Sequence, residues 1–549
     1  PPRSTLFPYT TLFRSGDGVE EVVVSGEVVA GEATEAPARV YRWGAAGLEE
    51  VRTWALPAGV GSIQGSWDVD GDGRRDLLAT RLDAPWLRVE EGQVVPSGAW
   101  EAPTLRSWNG ASAWWDLDRD GWLDVLLGDG GCGPAFVPLL ADGRGGFEAH
   151  PELVDAGASG GQWVDAVAVM PLPGARLAVL PIGPSCDPSR PDPGFYVGED
   201  RPGAVLRGED LTPEDAWWKL QPYAFGQPYT GVAPMGAAPV DLDGDGVLDL
   251  LISLGDGWNA VLQGQPDGRF LDATAVARMV GERLEPGRPE LPWSYAVPDL
   301  DGDGLADVVI TYGDDAATFY HLRGHELATR VYLNQGGFRF RELTPWSGPA
   351  RRGNWMGLVA ADPDRDGDAD LLVGGNGTLP MALRNDLVGR GRTLSLRLRG
   401  QASNTAGIGA VVRVEGARGE GSAYLVHGNG NILGFSEPLV FAGVGEALRA
   451  ERVVVNWPSG YRQVFRGLEV GRLHVPEEPE LLVVEPADRR ALLGGEITLR
   501  VSPRDEDGGA LVADVTLRLE GPGQVVQAVR EGASWRFSVR GPAVEGETR

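Results

Sequence analysis

Five nine-residue stretches share the pattern Asp-x-Asp-x-Asp-Gly-x-x-Asp: Asp68 to Asp76 (DVDGDGRRD), Asp116 to Asp124 (DLDRDGWLD), Asp241 to Asp249 (DLDGDGVLD), Asp299 to Asp307 (DLDGDGLAD) and Asp362 to Asp370 (DPDRDGDAD). Carboxylates crowded at this density repel one another unless a cation sits among them. The spacing suits Ca²⁺, which takes about six to eight hard oxygen ligands in a flexible shell, better than Mg²⁺, which demands octahedral geometry and keeps its waters. Positions 1, 3 and 5 are expected to curl around one point, the backbone carbonyl of position 7 to add an oxygen, and position 9 to close the shell. The expected ligands are Asp68, Asp70, Asp72 and Asp76 with the carbonyl of Arg74; Asp116, Asp118, Asp120 and Asp124 with that of Trp122; and Asp241, Asp243, Asp245 and Asp249 with that of Val247. The last two loops supply Asp299, Asp301, Asp303 and Asp307 with Leu305, and Asp362, Asp364, Asp366 and Asp370 with Asp368. Position 6 is glycine in all five (Gly73, Gly121, Gly246, Gly304, Gly367), as a sharp turn with positive φ requires.

An EF-hand opens in the same way but needs a Glu at position 12 and a helix on each side. Position 12 here is Ala79, Leu127, Ile252, Ile310 or Val373, and each loop runs into a short apolar segment: LLAT, VLLG, LLIS, VVIT or LLVG. These are loop-to-strand sites. Val261 to Thr274 (VLQGQPDGRFLDAT) and Val331 to Thr344 (VYLNQGGFRFRELT) continue with hairpin grammar, two strands joined by a Gly/Asn/Asp turn. With 80 Gly, 41 Pro and 18 Trp and few long stretches of 3.6-residue periodicity, the chain reads as all-β.

The loop-strand-hairpin unit resembles the FG-GAP and VCBS repeats of integrin-α-like β-propellers, in which each blade carries one calcium loop. The loops start at residues 68, 116, 241, 299 and 362, hence 48, 125, 58 and 63 residues apart. The longest gap has room for a further copy at Val169 to Leu177, where Gly174 keeps the turn glycine but Val169, Pro171, Pro173 and Leu177 replace the acids: a blade without a metal. At the front, GDGVEEVVVSG carries Asp17, Gly18 and Glu21 at positions 5, 6 and 9 of another copy whose first ligands are missing. The count is seven blades, within a range of six to eight, over residues 16–384. Residues 1–15 (PPRSTLFPYTTLFRS) differ in style from the rest, resemble sequencing-adapter read-through, and are set aside, which leaves the ring short of a strand at one edge. Ser185 to Met235, with Trp217, Trp218, Tyr223, Phe225 and Tyr229, reads as an insertion that either caps the propeller or contacts a ligand.

Within 385–478, Ser403 to Val411 (SNTAGIGAV) and the turn Trp457-Pro458-Ser459-Gly460 resemble the ASPIC/UnbV module that follows VCBS repeats in the cartilage acidic protein family. The segment Gly434 to Gly445 (GFSEPLVFAGVG) departs from the pattern of that module. Residues 479–549 alternate apolar and polar positions (EITLRVSPRD, DVTLRLEG, SWRFSVRG) and resemble a bacterial, Ig-like β-sandwich, short for a complete one. The resemblance implies a secreted or cell-surface calcium-binding protein and no defined reaction.

The net charge of −29 disfavours nucleic acid and anionic membranes and suits cations. No apolar run is long enough for a transmembrane helix. Cys132 and Cys186 are too few for a disulfide framework but can pair with each other in a secreted chain. His321 and His325 in HLRGH lack the Glu of a zinc-protease helix, and His150, His427 and His474 have no catalytic neighbours in sequence. No nucleophile elbow or phosphate-binding loop stands in a supporting context. The expectation is a monomeric adhesion, scaffold or ligand-binding protein, not an enzyme, whose partner is an extracellular protein or glycan. The alternative is a secreted propeller hydrolase or lyase acting on polysaccharide.

Overall fold

The computed structural model describes, with gaps, residues 9–96, 111–211, 235–343, 352–479 and strands within 482–540. Apart from the one-turn helices Pro151–Leu153 and Thr274–Ala277, the regular structure of these described residues is strand.

Among the described residues, seven antiparallel meanders succeed one another along the chain, the sixth stepping over the short strand Leu327–Ala328 and the first joined in parallel by Gly434–Phe435. Their first strands are Tyr9–Arg14, Ile63–Trp67, Ser112–Trp115, Ala166–Leu172, Ala237–Val240, Leu291–Ala296 and Trp355–Ala361. These first strands pack successively, the Trp67 and Trp114 rings meeting at 5.7 Å between the second and third sheets, and Tyr9–Arg14 touches both Ile63–Trp67 and Trp355–Ala361. The ring thus closes, and the architecture is an all-β propeller. Second strands such as Asp124–Gly128, Asp249–Ser253, Val308–Gly313 and Asp370–Gly375 are buried at every position, because sheets stacked face to face cover both sides. That is why they read as continuous apolar runs rather than as alternation.

Three expectations meet the structure differently. Tyr9–Arg14, set aside on style, supplies the inner strand of the first sheet, pairing Tyr9 with Ser25 through Arg14 with Glu20. The copy at Val169 has shed its loop: Ala166–Leu172 and Arg176–Ile182 run on through it and pair up to Leu172 and Arg176, leaving a tight turn with Gly174 at φ 81°. Part of the expected insertion belongs to this sheet, for Phe195–Glu199 and Arg207–Glu209 are its third and fourth strands. Its aromatic residues from Trp217 to Tyr229, like Cys132 and Cys186, lie outside the described residues. In the segment read as a sandwich, Leu482–Glu485, Glu496–Val501, Ser534–Arg540 and Gln524–Glu531 form one four-stranded sheet, and residues 502–523 lie outside the described residues.

Between the ring and that sheet, Thr393–Arg397 pairs with Leu439–Gly443 and Leu473–His474, and Val411–Gly416, Gly419–Leu425, Arg449–Asn456 and Arg462–Glu469 form a second sheet. Tyr424 pairs with Val240, so this sheet continues the fifth propeller sheet edge to edge, giving eight strands in all.

Candidate metal sites

Every Asp-rich loop joins the first strand of a sheet to the second, so all of them open on the same face of the ring. Their internal bonding repeats. The carboxylate of position 1 accepts the amide of the position 6 glycine: Asp116 from Gly121 at 3.1 Å, Asp241 from Gly246 at 2.8 Å, Asp299 from Gly304 at 2.7 Å and Asp362 from Gly367 at 3.2 Å. Position 5 accepts the amide of position 7, as in Asp120 from Trp122 (2.8 Å) and Asp303 from Leu305 (3.0 Å). The glycines take the expected positive φ, 94° at Gly121 and 101° at Gly304. Position 4 is left-handed as well, and there Arg119 (φ 57°) and Arg365 (φ 63°) hold a conformation that side chains rarely adopt.

Four loops bring three carboxylates each to one point, with ligand atoms within 4.8 Å of one another: Asp116, Asp118 and Asp124; Asp241, Asp243 and Asp249; Asp299, Asp301 and Asp303; Asp362, Asp364 and Asp366. Asp120, Asp245, Asp307 and Asp370 stand beside these sets without joining them. In the first loop Asp70 and Asp72 lie outside the described residues, while Asp76 accepts Arg88 Nε at 3.3 Å.

Position 9 does more than close a shell. Asp124 accepts the amides of Leu117 (2.6 Å) and Ala141 (2.8 Å), Asp249 those of Leu242 (2.7 Å) and Gly264 (2.8 Å), and Asp307 those of Leu300 (2.8 Å) and Asn334 (2.7 Å). One amide belongs to the loop and the other to the end of the third strand, so this aspartate staples the loop across the sheet. Sequence reading also missed the side-chain amides that bind neighbouring copies together. Asn334 Nδ2 donates to the carbonyls of Leu242 and Ala306, in two successive loops, and Asn385 Nδ2 to that of Leu300. The signal was present: a polar amide closes the third strand in VLQGQ, VYLNQ and ALRND.

Burial, reinforced by neighbouring carboxylates, holds the protons of these acids far above the usual range. It raises Asp362 to about 6, Asp116 to about 7 and Asp249, Asp299 and Asp370 to about 8, and pushes Asp124 and Asp307 well up. Asp116 Oδ1, Asp362 Oδ1 and Asp370 Oδ2 are buried without a hydrogen-bond donor. Converging carboxylates with orphaned oxygens fit a hard divalent cation, and these sets can hold a metal ion. Glu21, assigned to position 9 of the incomplete copy, lies fully buried between Arg42 Nε (2.8 Å) and Arg52 Nη2 (2.7 Å), an ion pair in place of a cation.

Residues 68–127, 241–310 and 299–373 match the family described as FG-GAP-like repeat, and residues 400–482 match ASPIC and UnbV. The chain is built from FG-GAP-like repeats and an ASPIC/UnbV domain. No curated protein matches it. Among solved structures it is similar to BBS1N in complex with ARL6DN (11% identity, TM-score 0.39, 71% of this chain and 95% of that one). It is also similar to the Pseudomonas aeruginosa periplasmic gluconolactonase PpgL (15%, 0.35, 61% and 84%) and to Penicillium chrysogenum alpha-L-arabinanase (13%, 0.31, 57% and 91%). The FG-GAP-like matches cover the loops with converging carboxylates and skip the fourth sheet, whose turn has no acids at the loop positions.

In the ASPIC/UnbV domain, Trp457 is buried, its amide donates to the Tyr461 carbonyl at 2.8 Å and its Nε1 to Gln463 at 2.9 Å, which makes the Trp-Pro-Ser-Gly segment a packed turn. Asn431 reaches the ring, exchanging bonds of 2.8 Å with the Tyr295 backbone. Gly434 and Phe435 pair with Thr10 and Thr11, and Phe435 sets its ring edge-on against Trp67 at 5.1 Å. Glu437 is clasped by Arg75 Nη2 (2.8 Å) of the propeller and Arg397 Nη2 (2.5 Å) of its own domain. The segment that departs from the module's pattern thus shares with Tyr424 and Asn431 the contacts to the inner strands.

Proposed function

We propose that this chain is a secreted or surface-exposed calcium-binding propeller that presents loops to an extracellular protein or glycan, and that it is not an enzyme. The observation that carries the calcium reading is the four sets of converging, buried carboxylates, whose raised proton affinity makes the empty loops costly at neutral pH. Calcium at extracellular, millimolar concentration neutralises such loops and stabilises the folded state by mass action. The loops with bound cation then brace blades, and recognition falls to the opposite face, where second strands pass to third strands and one sheet passes to the next. The non-enzymatic reading draws support from the centre of the ring. There Asn431, Gly434 and Phe435 pack against the inner strands, and the neighbouring cavity, about 80 Å³, is lined by apolar residues with His427 and Glu437, the latter already held by Arg75 and Arg397. Kinship with cartilage acidic proteins and a monomeric state belong to the same proposal.

The test is a thermal melt of metal-free protein against protein in millimolar Ca²⁺, combined with a glycan array and a panel of polysaccharide substrates. A calcium-dependent rise of the melting temperature and binding without turnover are expected. An unchanged melt removes the calcium reading, and release of reducing ends from any polysaccharide reinstates the hydrolase or lyase.

A further inference from the structure

The ASPIC/UnbV domain sits on the loop face of the ring, and it bonds to the carboxylates at position 1. Asp241 Oδ2 accepts the amide of Ala423 (3.0 Å) and Arg413 Nη2 (3.4 Å), Asp299 Oδ2 the amide of Gly443 (2.8 Å), and Asp362 Oδ2 the hydroxyl of Ser395 (2.9 Å). The loop backbones take part as well. Gly391 donates to the carbonyl of Asp301 at 2.7 Å, Gly445 to that of Gly302 at 2.8 Å and Ser422 to that of Gly304 at 2.9 Å. Asp116 differs: its described hydrogen-bond donor is Gly121, within its own loop. Of the four candidate sites among the described residues, three are roofed by the second domain through their position 1 carboxylate, whereas Asp116 takes its described donor from its own loop.

In each roofed site the same aspartate serves two partners. It belongs to the set of converging loop acids, and its Oδ2 accepts both the position 6 glycine amide of its own loop and donors from the ASPIC/UnbV domain. A cation fixes the turn that presents Asp301, Gly302 and Gly304 carbonyls outward, and the domain's donors fix the same turn from the other side. Two ligands that stabilise one conformation must favour each other's binding, and the coupling is reciprocal. We propose that cation loading of the loops at 241–249, 299–307 and 362–370 latches the ASPIC/UnbV domain onto the propeller. The docked domain in turn makes these three a tighter class of cation site than the loop at 116–124. This rests on the calcium reading above.

The test uses the full chain. Hydrogen exchange is followed at the amides that cross the joint (Gly391, Ser422, Ala423, Gly443, Gly445) and at Val453 to Val455 within the domain's own sheet, in millimolar Ca²⁺ and after removal of metal. Removal should expose the joint amides about tenfold or more while Val453 to Val455 stay protected. In parallel, Ca²⁺ is titrated calorimetrically into the wild type, Gly391→Ala and Gly421→Ala. An added Cβ would collide with the Gly302 carbonyl in the first variant and with that of Gly304 in the second, wedging the joint without touching a ligand. Both variants should lose affinity in the tighter class of sites and keep the weaker site unchanged; intact protection of Val453 to Val455 in each shows that it has folded. Calcium binding with joint amides indifferent to the metal, or variants that bind as the wild type does, overturns the latch and leaves the calcium reading standing. Absence of any calcium binding overturns both.

Discussion

Replacing Asp249 with alanine removes the acceptor of two buried backbone amides, those of Leu242 at 2.7 Å and Gly264 at 2.8 Å. Each buried donor left without an acceptor costs about 1–3 kcal/mol, so the staple as a whole is worth about 2–6 kcal/mol. Asp243, two positions into the same loop, accepts the neighbouring Asp245 amide at a long 3.2 Å and the Gln263 side-chain amide at 2.7 Å, and is only partly buried. Its loss costs about 1 kcal/mol before any cation is considered. Both residues belong to the same three-carboxylate set, so a purely metal-binding role predicts that the two variants behave alike. Urea denaturation of metal-free protein, followed by tryptophan fluorescence, separates the cases. Asp249→Ala should shift the midpoint down far more than Asp243→Ala does, and adding calcium to the wild type should widen its lead over both. Equal midpoints without metal would refute the assignment of position 9 as a staple between the loop and the third strand.

The loop carboxyls keep their protons to about 6 in Asp362, 7 in Asp116 and 8 in Asp249 and Asp370 in the folded, cation-free protein, against about 4 in the unfolded chain. The folded state then binds more protons throughout that window, so melting temperature without metal should fall as pH rises from about 5 to about 8.5, and calcium should flatten or reverse the trend. Glu21→Gln should cost about 1–3 kcal/mol through its two arginine partners, with the loss identical in calcium and in its absence; a calcium-dependent loss would restore the metal-loop reading of that copy. Trp457→Phe removes the indole donor to Gln463, 2.9 Å away and buried, and should lower stability by about 1–2 kcal/mol with no change in calcium affinity measured by calorimetry.

The loops were legible because their chemistry is local: alternating carboxylates and a glycine at position 6 dictate a turn whatever surrounds it. The second strands were legible for the same reason, since a strand covered on both faces must be apolar beyond its opening aspartate, as DVLLG and DLLVGG are. Partnership across distance was not legible. That Asp249 serves Gly264, or that Asn334 ties two loops together, depends on which strand returns beside which, and no spacing encodes it. The fourth sheet misled because its last strand, RGE, lacks the phenylalanine that opens the last strands FEA, FLD and FRE of other copies. Tyr9–Arg14 was dismissed on style, yet a ring with an unfilled inner position accepts any extended segment able to complete the ladder. The roof over three of the loops was hidden for a further reason. Its contacts run through backbone amides of Gly443, Ala423 and Gly391, and a sequence does not advertise its backbone.

The edge-to-edge joint between Val240 and Tyr424 also has a mechanical meaning. A single residue pair couples the fifth propeller sheet to its continuation, whereas the ladders on either side of it are several pairs long. Tension between the two domains would therefore fall on this short seam together with the bonds that reach the loop carboxylates, and the joint as a whole should part before any blade unravels. A molecule attached at both ends would then extend by a hinge-like opening while its ring stayed intact, the behaviour of a fuse rather than of a spring.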